Sequence, residues 1–379
     1  MDALITPSNW QKVRLGDICE IGNGGAYETL IVENGDFKLI SLNSIDIDGN
    51  LKNTMKRVNF YDNSLKQDDI VMVLSDVAHG DFLGLCAVIP NNDYVLNQRM
   101  GRLRKKNDCI NILFLRLYIN ANQKYFKMQG QGSSQLNLSK KAIEDFEILL
   151  PSLNEQIAIA NILSDVDHYL YSLDALILKK ESVKKALSFE LLSQRKRLKG
   201  FNQNWQRVRL GDICEITTGS LDANEMVYYG KYRFYTCAKE YYFIDKYAFD
   251  TEAILISGNG AYVGYVHYYK GKFNAYQRTY VLDNFSEHII FVKYFLTMFL
   301  QSHIQTNKNE GNTPYIVMGT LKDFEILLPP LNEQIAIANI LSALDNEITS
   351  LKNKKRQFEN IKKALNHDLM SAKIRVLNK

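Results

Sequence analysis

The chain has 379 residues, 46% of them apolar, with 46 lysines and arginines against 42 aspartates and glutamates. A chain of this length predicts two to three domains, each with enough apolar residues to bury a core. The net charge of +4 is too small to indicate nucleic-acid binding by itself, so any DNA contact must come from local clusters of basic residues.

The sequence shows no segment for membrane insertion or secretion. It contains no run of eighteen apolar residues and does not open with a charged and then apolar leader, so we expect a soluble, cytoplasmic protein without a membrane partner. The cysteines are odd in number and form no C-x-x-C pair, which argues against a disulfide framework and a structural zinc site. They are Cys19, Cys86, Cys109, Cys214 and Cys237.

A short lead-in opens the chain and returns in its second half. Residues 10–21 read WQKVRLGDICEI, and residues 205–216 read WQRVRLGDICEI. Only Lys12 and its counterpart Arg207 differ. A repeat of this kind indicates that the chain contains two copies of one unit.

Between the repeated segments the two halves diverge. Residues 22–144 and 217–322 contain short runs rich in isoleucine, valine, tyrosine and phenylalanine, broken by glycine-containing turns. This pattern predicts mixed α/β domains with several short strands.

Weak similarity between the two variable segments indicates one scaffold with two different surfaces. Residues 69–75 (DIVMVLS) resemble residues 252–257 (EAILIS). A Gln-Arg pair follows in each segment, and we expect the first pair to match the second. The pairs are Gln98-Arg99 and Gln277-Arg278.

The strongest basic cluster of the chain lies in the first variable segment, within NQRMGRLRKKN. A strand through it would place Arg102 and Arg104 on one face, because side chains alternate along a strand. Arginines there can bind phosphates and, with two hydrogen bonds, the edge of guanine. The alternative is a solvated edge strand or turn. The candidate DNA-binding residues are Gln98, Arg99, Arg102, Arg104, Lys105 and Lys106.

The second variable segment has a similar candidate in Gln277-Arg278, since glutamine suits adenine and arginine suits guanine. Tyrosines crowd this segment, and packing on strands explains most of them. We take Tyr262 and Tyr276 as candidates for contacting DNA. In the first segment, the polar loop at residues 130–135 (GQGSSQ) is a candidate for entering a groove, with an ordinary surface loop as the alternative.

A second repeat follows each variable segment. Residues 145–167 (DFEILLPSLNEQIAIANILSDVD) return as residues 323–345 (DFEILLPPLNEQIAIANILSALD), with 20 of 23 positions identical. Each copy of this box predicts a strand, then proline, then a helix.

The two copies of the box differ where the helix begins. In the first copy Ser152 and Glu155 have the spacing of a capping box. In the second copy Pro330 replaces the serine, so we expect Asn332 or the proline itself to begin the helix.

Each box leads into a long predicted helix with one stripe at coiled-coil spacing. A single helix about 60 Å long cannot bury its own stripe, so we expect the two helices to pair, running antiparallel. Lysines on the stripes either extend to the edge of the pair or mark a docking site for another protein. The stripes are Val166, Leu170, Leu173, Ile177, Lys180, Lys184, Leu187 and Leu191, and Leu344, Ile348, Leu351, Lys355, Phe358, Lys362, Leu365 and Leu369.

The doubled LPxLNEQxAIAxIL box, the doubled W-x-x-V-x-L-G-D-I lead-in and the dissimilar segments between them closely resemble the specificity subunit of type I restriction–modification enzymes, over essentially the whole chain. The resemblance implies two mixed α/β target recognition domains separated by two long antiparallel coiled-coil helices, as a pseudo-two-fold internal repeat. It places the recognition domains at residues 1–150 and 201–328, and the helices at residues 151–200 and 329–379. Each domain is then expected to read one half of a split, non-palindromic DNA site.

The same resemblance implies partners. Double-stranded DNA is expected on the recognition domains and two modification (methyltransferase) subunits on the helices, which set the spacing of the half-sites. Restriction subunits would join through the complex. S-adenosylmethionine, ATP and magnesium are expected on those partners, and no cofactor, metal or catalytic residue in this chain. Apolar residues off the stripes are the candidate docking surface: Ile157, Ile159, Val183, Ile335, Ile337 and Ile361.

Two other functions stay open from the residues alone. A self-contained adenine methyltransferase would carry an Asn-Pro-Pro-Tyr box, but threonine replaces the first proline in the run at residues 312–315. No F-x-G-x-G cofactor box accompanies it, which favours an ordinary turn. A coiled-coil adaptor, the other alternative, would show no sequence-dependent DNA binding.

Overall fold

The chain folds into two compact units, each combining a globular domain with parts of two long helices. Unit 1 contains residues 1–173 and 354–379, and unit 2 contains residues 174–353. Residues of both long helices belong to each unit, so the units do not coincide with the four segments predicted from sequence. The structure is a computed structural model that describes residues 10–77, 80–307 and 314–376, except the side chains of residues 306 and 307.

Unit 1 is built from short strands because β-branched and aromatic residues alternate with turn residues through its variable segment. Its strands are β1 (Gln11–Arg14), β2 (Cys19–Asn23), β3 (Phe37–Ile40), β4 (Arg57–Val58), β5 (Ile70–Val73), β6 (Ser75–Val77), β7 (Cys86–Val88), β8 (Tyr94–Leu96), β9 (Met100–Lys105), β10 (Gln135–Asn137) and β11 (Glu147–Leu150). Its helices are α1 (Leu15–Ile18), α2 (Ile112–Ala121), α3 (Gln123–Gln129), α4 (Lys140–Glu144) and the first part of the long α5 (Leu153–Leu192).

The strands of unit 1 form two main sheets. One is antiparallel, in the order β2-β9-β5-β7, and the other has the order β4-β3-β8 with β3 and β8 parallel. The buried side chains of Ile70, Met72 and Leu103 on the first sheet pack with Phe114 of α2 and Phe126 of α3. This core holds the first sheet against the two helices.

Unit 2 contains one larger sheet. Its strands are β12 (Gln206–Arg209), β13 (Glu215–Thr218), β14 (Tyr232–Tyr235), β15 (Tyr242–Ile244), β16 (Phe249–Ser257), β17 (Val266–Ala275), β18 (Thr279–Asp283) and β19 (Glu325–Leu328). Its helices are the last part of α5, then α6 (Ile289–Asn307), α7 (Met318–Lys322) and the first part of α8 (Leu331–Met370), as far as residue 353. The six-stranded sheet has the order β13-β18-β16-β17-β14-β15 and packs on α6.

The two units share one topology. β13-β18-β16 corresponds to β2-β9-β5, and the parallel pair of β14 and β17 corresponds to that of β3 and β8. In unit 1, two short strands, β7 and β8, occupy the position of the ten-residue β17 of unit 2, and Pro90 lies between them. Since proline cannot donate a backbone hydrogen bond to a neighbouring strand, the single sheet of unit 2 is divided into two in unit 1.

Each lead-in pairs with the strand of the box that follows it. β1 lies antiparallel to β11, with Val13 opposite Ile148, and β12 lies antiparallel to β19, with Val208 opposite Ile326. Both isoleucines are buried. The two sequence repeats therefore form one structural feature in each unit, and that feature ends where a long helix begins.

At the start of α5, the predicted capping box is only half formed. The Glu155 backbone amide donates to Ser152 Oγ at 3.4 Å. The Glu155 carboxylate, however, accepts from Trp10 Nε1 at 3.2 Å and from the Arg375 guanidinium at 2.6 and 2.9 Å. The prediction was wrong for this side chain because its partners lie far away in the sequence.

Unit 2 repeats this arrangement at the start of α8. The Glu333 carboxylate accepts hydrogen bonds from Trp205 Nε1 at 3.1 Å and from the Arg197 guanidinium at 2.6 and 3.2 Å. The Glu333 backbone amide donates to the Pro330 carbonyl at 2.9 Å and to the Asn332 side chain at 3.0 Å. The helix begins at Leu331, so Pro330 immediately precedes it, which is one of the two predicted alternatives, and Asn332 lies within the first turn.

Within unit 1 the two long helices pack antiparallel. Lys362 of α8 pairs with Asp167 of α5 at 2.5 Å, and the ring of Phe358 packs on that of Tyr169, with centroids 4.6 Å apart. Residue numbers fall on one helix as they rise on the other, which is the pattern of an antiparallel pair.

Unit 2 shows the same antiparallel packing. Lys180 pairs with Glu347 at 2.8 Å, and Lys184 pairs with Asp345, which also accepts from the Tyr294 hydroxyl at 2.6 Å. Burial by itself would raise the pKa of Asp345, but the hydrogen bonds from Lys184 and Tyr294 lower it below its ordinary value. These stripe lysines therefore bind carboxylates on the facing helix.

All five cysteines are free thiols, and burial raises the pKa of Cys19 to about 12. Across residues 10–77, 80–307 and 314–376, no helix combines the length and apolar character needed to cross a bilayer.

Candidate nucleic-acid interface

The two Gln-Arg pairs occupy the same turn in the two units. Gln98-Arg99 connects β8 to β9, and Gln277-Arg278 connects β17 to β18. The backbone amide of the glutamine donates to Gly25 O at 2.6 Å in unit 1 and to Leu221 O at 2.9 Å in unit 2. The predicted match between the two pairs is confirmed.

A further backbone hydrogen bond holds each turn at its arginine. Arg99 O accepts from Leu74 N at 3.0 Å, and Arg278 O accepts from Gly258 N at 2.8 Å. The next residue along the chain, Met100 or Thr279, is fully buried. Each turn is therefore fixed by its backbone, while the two arginine side chains are exposed.

Arg99 also has a strained backbone. Its φ angle of +68° lies in the left-handed region, which costs a residue other than glycine roughly 1–2 kcal/mol. Such a conformation persists only where the surrounding structure holds it, and residues of this kind cluster at binding sites. The strain singles out Arg99 among the basic residues of unit 1.

The polar ends of the two turns have no partner in their own domain. Within the part of the chain that the structure describes, the side chains of Gln98, Arg99, Gln277 and Arg278 make no hydrogen bond or ion pair with another residue. Both pairs therefore present donors and acceptors to the solvent, as base or phosphate recognition requires.

Arg99 stands between two open clefts of unit 1. One cleft has a volume of about 500 Å³, and its lining includes Arg99, Asn43 and Gln135 from the predicted polar loop. The other, of about 290 Å³, is lined by Arg99 and Asn43 again, together with Gln98 and Lys56. The Gln98-Arg99 turn thus forms a polar ridge with a groove on either side.

In unit 2, tyrosines and a lysine surround the equivalent turn. Tyr276 immediately precedes Gln277-Arg278 and is half-buried, and Tyr262 is exposed on the loop after β16. This loop begins at Gly258, whose amide is bonded to Arg278. The Lys239 ammonium lies 5.1 Å from the centroid of the Tyr262 ring. The structure therefore places all the candidates of the second segment around one turn.

The next two arginines of the basic cluster are bound within unit 1. Arg102 and Arg104 lie on one face of β9, as predicted, and both donate to the Ser64 carbonyl. Arg102 pairs with Glu20 at 2.5 Å, and Arg104 pairs with buried Asp69 through two bonds of 2.6 and 2.8 Å. The hydrogen bond and charge of Asp69 raise the pKa of Arg104. A DNA contact would require these ion pairs to break, because both guanidinium groups already stabilise the domain.

The lysines at the end of the cluster are also engaged. Lys105 pairs with Asp108 at 2.8 Å, and Lys106 Nζ donates to the Gly16 carbonyl at 2.6 Å. A six-residue strand separates Lys105 from the Arg99 turn by roughly 17 Å. The structure therefore brings Gln98 and Arg99 to the clefts and leaves the other four candidates away from them or paired.

A second shared turn, which sequence comparison did not identify, lies beside each Gln-Arg turn. It comprises residues 80–84 (GDFLG) in unit 1 and residues 260–264 (GAYVG) in unit 2. The carbonyls of Phe82 and Tyr262 accept equivalent backbone hydrogen bonds of 2.9 Å, and the last glycine has a φ angle of +78° in unit 1 and +79° in unit 2. The sequence signal for this turn was a five-residue pattern common to both units, with glycine at the first and last positions and an aromatic residue at the third.

The candidate docking residues on the helices divide by burial. Two of them, Ile159 and Ile337, are 0% and 1% exposed and belong to the cores of units 1 and 2, so they offer no surface to a partner. Each lies two residues after an exposed isoleucine, which turns its side chain about 200° around the helix toward the core. The exposed candidates are Ile157, Val183, Ile335 and Ile361.

The run compared with a methyltransferase box lies only partly within the described residues. Asn312 and Thr313 fall outside them. Pro314 O accepts from Gly260 N at 2.9 Å, and Tyr315 forms an antiparallel bridge with Asn259. The described part of the run thus supports the glycine turn of unit 2.

Comparison with known proteins finds one family in both halves of the chain. The family model described as the type I restriction modification DNA specificity domain matches residues 7–180 and, a second time, residues 202–360. The two matches cover most of the chain, and each includes one lead-in, one variable segment and one box.

Two curated relatives carry names from the same family. The chain is 40% identical over 163 residues to the specificity subunit of the type I restriction enzyme EcoDI of Escherichia coli, a match that spans 42% of this chain and 35% of that protein. It is 24% identical over 422 aligned positions to the specificity subunit of the type I restriction enzyme MjaVIII of Methanocaldococcus jannaschii, covering 100% of this chain and 96% of the relative.

A solved structure extends the likeness to the fold. The S subunit of a type I restriction–modification system from M. genitalium superposes with a TM-score of 0.66 at 17% identity, over 96% of each chain. At this identity the superposition shows the fold alone. The two family matches show that the chain belongs to the type I restriction–modification DNA specificity family, as a specificity subunit and not as the enzyme itself.

Proposed function

We propose that each unit reads one half of a split, non-palindromic DNA site, and that the Gln-Arg turn is the centre of each reading surface. The observation that carries this proposal is the pair of equivalent turns. Both present unpaired glutamine and arginine side chains on the same backbone frame. The residues around the two turns differ, so the two half-sites are expected to differ as well.

Base recognition by these turns follows from their chemistry. Arginine can donate two hydrogen bonds to guanine O6 and N7, and glutamine can pair with adenine N6 and N7. In unit 1, the exposed residues Lys52 and Lys56 at the cleft margins have the charge to bind flanking phosphates. The chain therefore separates positioning contacts from base contacts.

The long helices are proposed to set the distance between the half-sites. α5 and α8 are both 40 residues long, or about 60 Å at 1.5 Å per residue. The ion pairs between them in each unit support a fixed length. Changing the length of both helices would then change the DNA spacer and leave the bases read unchanged.

Two modification subunits are proposed to dock on the helices. Ile157 and Ile335 occupy the same position of the two boxes and are 38% and 39% exposed. Two copies of one partner need two copies of one docking surface, and the identical boxes supply them. Restriction subunits would join through this complex.

Catalysis and its cofactors are proposed to belong to those partners. Methyl transfer from S-adenosylmethionine and cleavage driven by ATP and magnesium would take place on the modification and restriction subunits, and this chain would bind none of these cofactors. The complex is expected to act in the cytoplasm, where its DNA lies.

The methylated sites of the whole genome test this proposal. Single-molecule sequencing of a strain that carries the chain is expected to show one bipartite adenine-methylation motif, absent after deletion of the chain. Restoring the chain on a plasmid is the control and should restore the motif. Methylation that is unchanged by the deletion would contradict the proposed function.

A further inference from the structure

We propose that Asn43 in unit 1 and Lys239 in unit 2 are specificity-determining residues, through which the two domains read different bases beside their common Gln-Arg turn. This inference rests on the proposed function and adds a second reading side chain to each domain. Asn43 would select adenine, and Lys239 would select guanine.

Asn43 is held in place by a rigid turn. It is the middle residue of a short 3₁₀ turn, Leu42–Ser44, which Ser41 connects to the end of β3. The Ser41 backbone amide donates to Ser44 Oγ at 2.9 Å, and Ser44 Oγ donates to Leu39 O at 3.3 Å. Ser44 is buried whereas Asn43 is exposed. The turn therefore presents the asparagine side chain from a fixed backbone.

The parallel pairing of β3 and β8 sets Asn43 beside the Gln98-Arg99 turn. Ile40 lies opposite Leu96 in that pair, and Asn97 N donates to Ile40 O at 3.0 Å. Because β3 and β8 are parallel, the segments that follow them leave the sheet at this point and in the same direction. As a result, Asn43 and Arg99 line both of the clefts that flank the ridge.

The Asn43 amide group has the chemistry of a base reader. Within the described ranges it makes no hydrogen bond with another residue, so its donor and its acceptor both stay unpaired. A primary amide matches adenine, which offers one donor at N6 and one acceptor at N7 in the major groove. With the arginine beside it, unit 1 can discriminate two neighbouring bases.

Unit 2 has a different side chain in the equivalent segment. Residues 236–240 (TCAKE) follow β14 as residues 41–45 follow β3, and Tyr276 N donates to Tyr235 O at 2.9 Å as Asn97 N does to Ile40 O. Counting from the strand pairing places Ala238 at the position of Asn43. The exposed polar residues beside it are Lys239 and Glu240, and only the lysine has the positive charge and the donors that bind DNA.

The backbone of this segment is also fixed against the turn. Cys237 Sγ donates to Arg278 O at 3.3 Å, and Ala238 O is hydrogen-bonded to His267 Nε2 at 2.9 Å. The Lys239 ammonium rests 5.1 Å from the Tyr262 ring centroid. A lysine donates and does not accept, so it suits the two acceptors of guanine and disfavours the donor of adenine.

Base selection from a library of randomised duplexes tests the inference. The full chain, co-expressed with its modification subunits, would be incubated with the library in defined salt, and bound DNA would be sequenced. Asn43→Ala is expected to lose roughly 10- to 100-fold preference for one A·T pair in one half-site. Lys239→Ala is expected to lose a comparable preference for one G·C pair in the other half-site.

Asn53→Ala is the matched control, because Asn53 is an exposed asparagine of the same domain that lines neither cleft. It should leave every preference unchanged. Thermal unfolding of the variants should be unaltered, since the replaced side chains are exposed.

The outcomes separate this inference from the function on which it rests. A native complex that selects no motif would contradict both. A native complex that selects a bipartite motif, with Asn43→Ala selecting the same motif at the same strength, would overturn this inference and leave the proposed function standing.

Discussion

Arg375 and Glu155 lie 220 residues apart in the sequence and form a bidentate ion pair of 2.6 and 2.9 Å on a carboxylate that is only 1% exposed. Trp10 donates to the same carboxylate. The lead-in, the start of α5 and the segment after α8 therefore meet at one buried charge. In unit 2 Arg197 plays the part of Arg375, but it lies close in sequence to Trp205, the second tryptophan.

Replacing Arg375 is expected to destabilise unit 1. Arg375→Ala leaves a buried carboxylate without its cation, which costs roughly 3–5 kcal/mol in the free energy of unfolding. The chain has two tryptophans, one in each unit. In a Trp205→Phe background, urea unfolding followed by Trp10 fluorescence should show an earlier transition.

Arg197→Ala is the matched variant for unit 2. In a Trp10→Phe background it should shift the Trp205 transition by a similar amount, because Arg197 also binds a buried glutamate, Glu333, through two hydrogen bonds. If Arg375→Ala leaves the urea concentration of the Trp10 transition unchanged, the ion pair of Arg375 with Glu155 does not stabilise unit 1.

Replacing either of two arginines of unit 1 is expected to have opposite effects on stability and on base discrimination. Arg99→Ala should change the free energy of unfolding by no more than about 0.5 kcal/mol, as for an ordinary surface residue, yet reduce discrimination at one base pair by about 1–3 kcal/mol. Arg104→Ala should lose roughly 3 kcal/mol of stability because it strands buried Asp69.

Thermal unfolding and competition binding against random duplexes, at one salt concentration, measure the two effects. The account of the basic cluster would be wrong if Arg104→Ala relaxed base selection at native stability, or if Arg99→Ala left selection intact.

The exposed isoleucines are expected to control subunit stoichiometry. Ile157→Asp puts a charge on one docking surface and should halve the amount of modification subunit that co-purifies, since the second surface at Ile335 stays intact. The double variant should carry none. Native mass spectrometry counts the subunits, and a single variant that keeps the native count would exclude Ile157 from the interface.

Ile159→Ala is the control from the buried side of the same helix. It should lower the free energy of unfolding by roughly 2–5 kcal/mol, as for other buried large-to-small changes. Because the side chain faces the core, subunit stoichiometry at low temperature should not change.

Helix length is expected to determine the DNA spacer. Inserting seven residues after residue 173 in α5, and seven after residue 353 in α8, lengthens each helix by about 10 Å and preserves the stripe. This distance corresponds to about three base pairs at 3.4 Å each. Methylation mapping should show unchanged half-sites with a longer gap, and altered half-sites would contradict the role given to the helices.

The repeated segments of the sequence predicted the framework well. The repeats predicted two copies of one unit, and the structure contains them: Val13 pairs with Ile148 in one copy, and Val208 pairs with Ile326 in the other. The stripe spacing likewise predicted that the two helices pair, and the order of the segments along the chain predicted that they run antiparallel. The stripe lysines were ambiguous because their partners, such as Asp167 for Lys362, lie on the other helix.

The candidate site was harder to predict because charge alone does not distinguish a reader from an internal partner. Arg99 and Arg104 are five residues apart in one basic cluster, but only Arg104 faces a buried aspartate. Asp69 becomes its neighbour through strand pairing at a distance of 35 residues. The match of the two Gln-Arg pairs did identify the turn, since it depended on position rather than on charge.

Exchange of one variable segment tests the central claim most directly. Residues 22–144 would be replaced by the corresponding segment of another family member, and the methylated sites of the host genome would be mapped by single-molecule sequencing. We predict that one half of the bipartite motif changes while the other half and the spacer stay the same. A motif that changes in both halves, or in neither, would contradict the account.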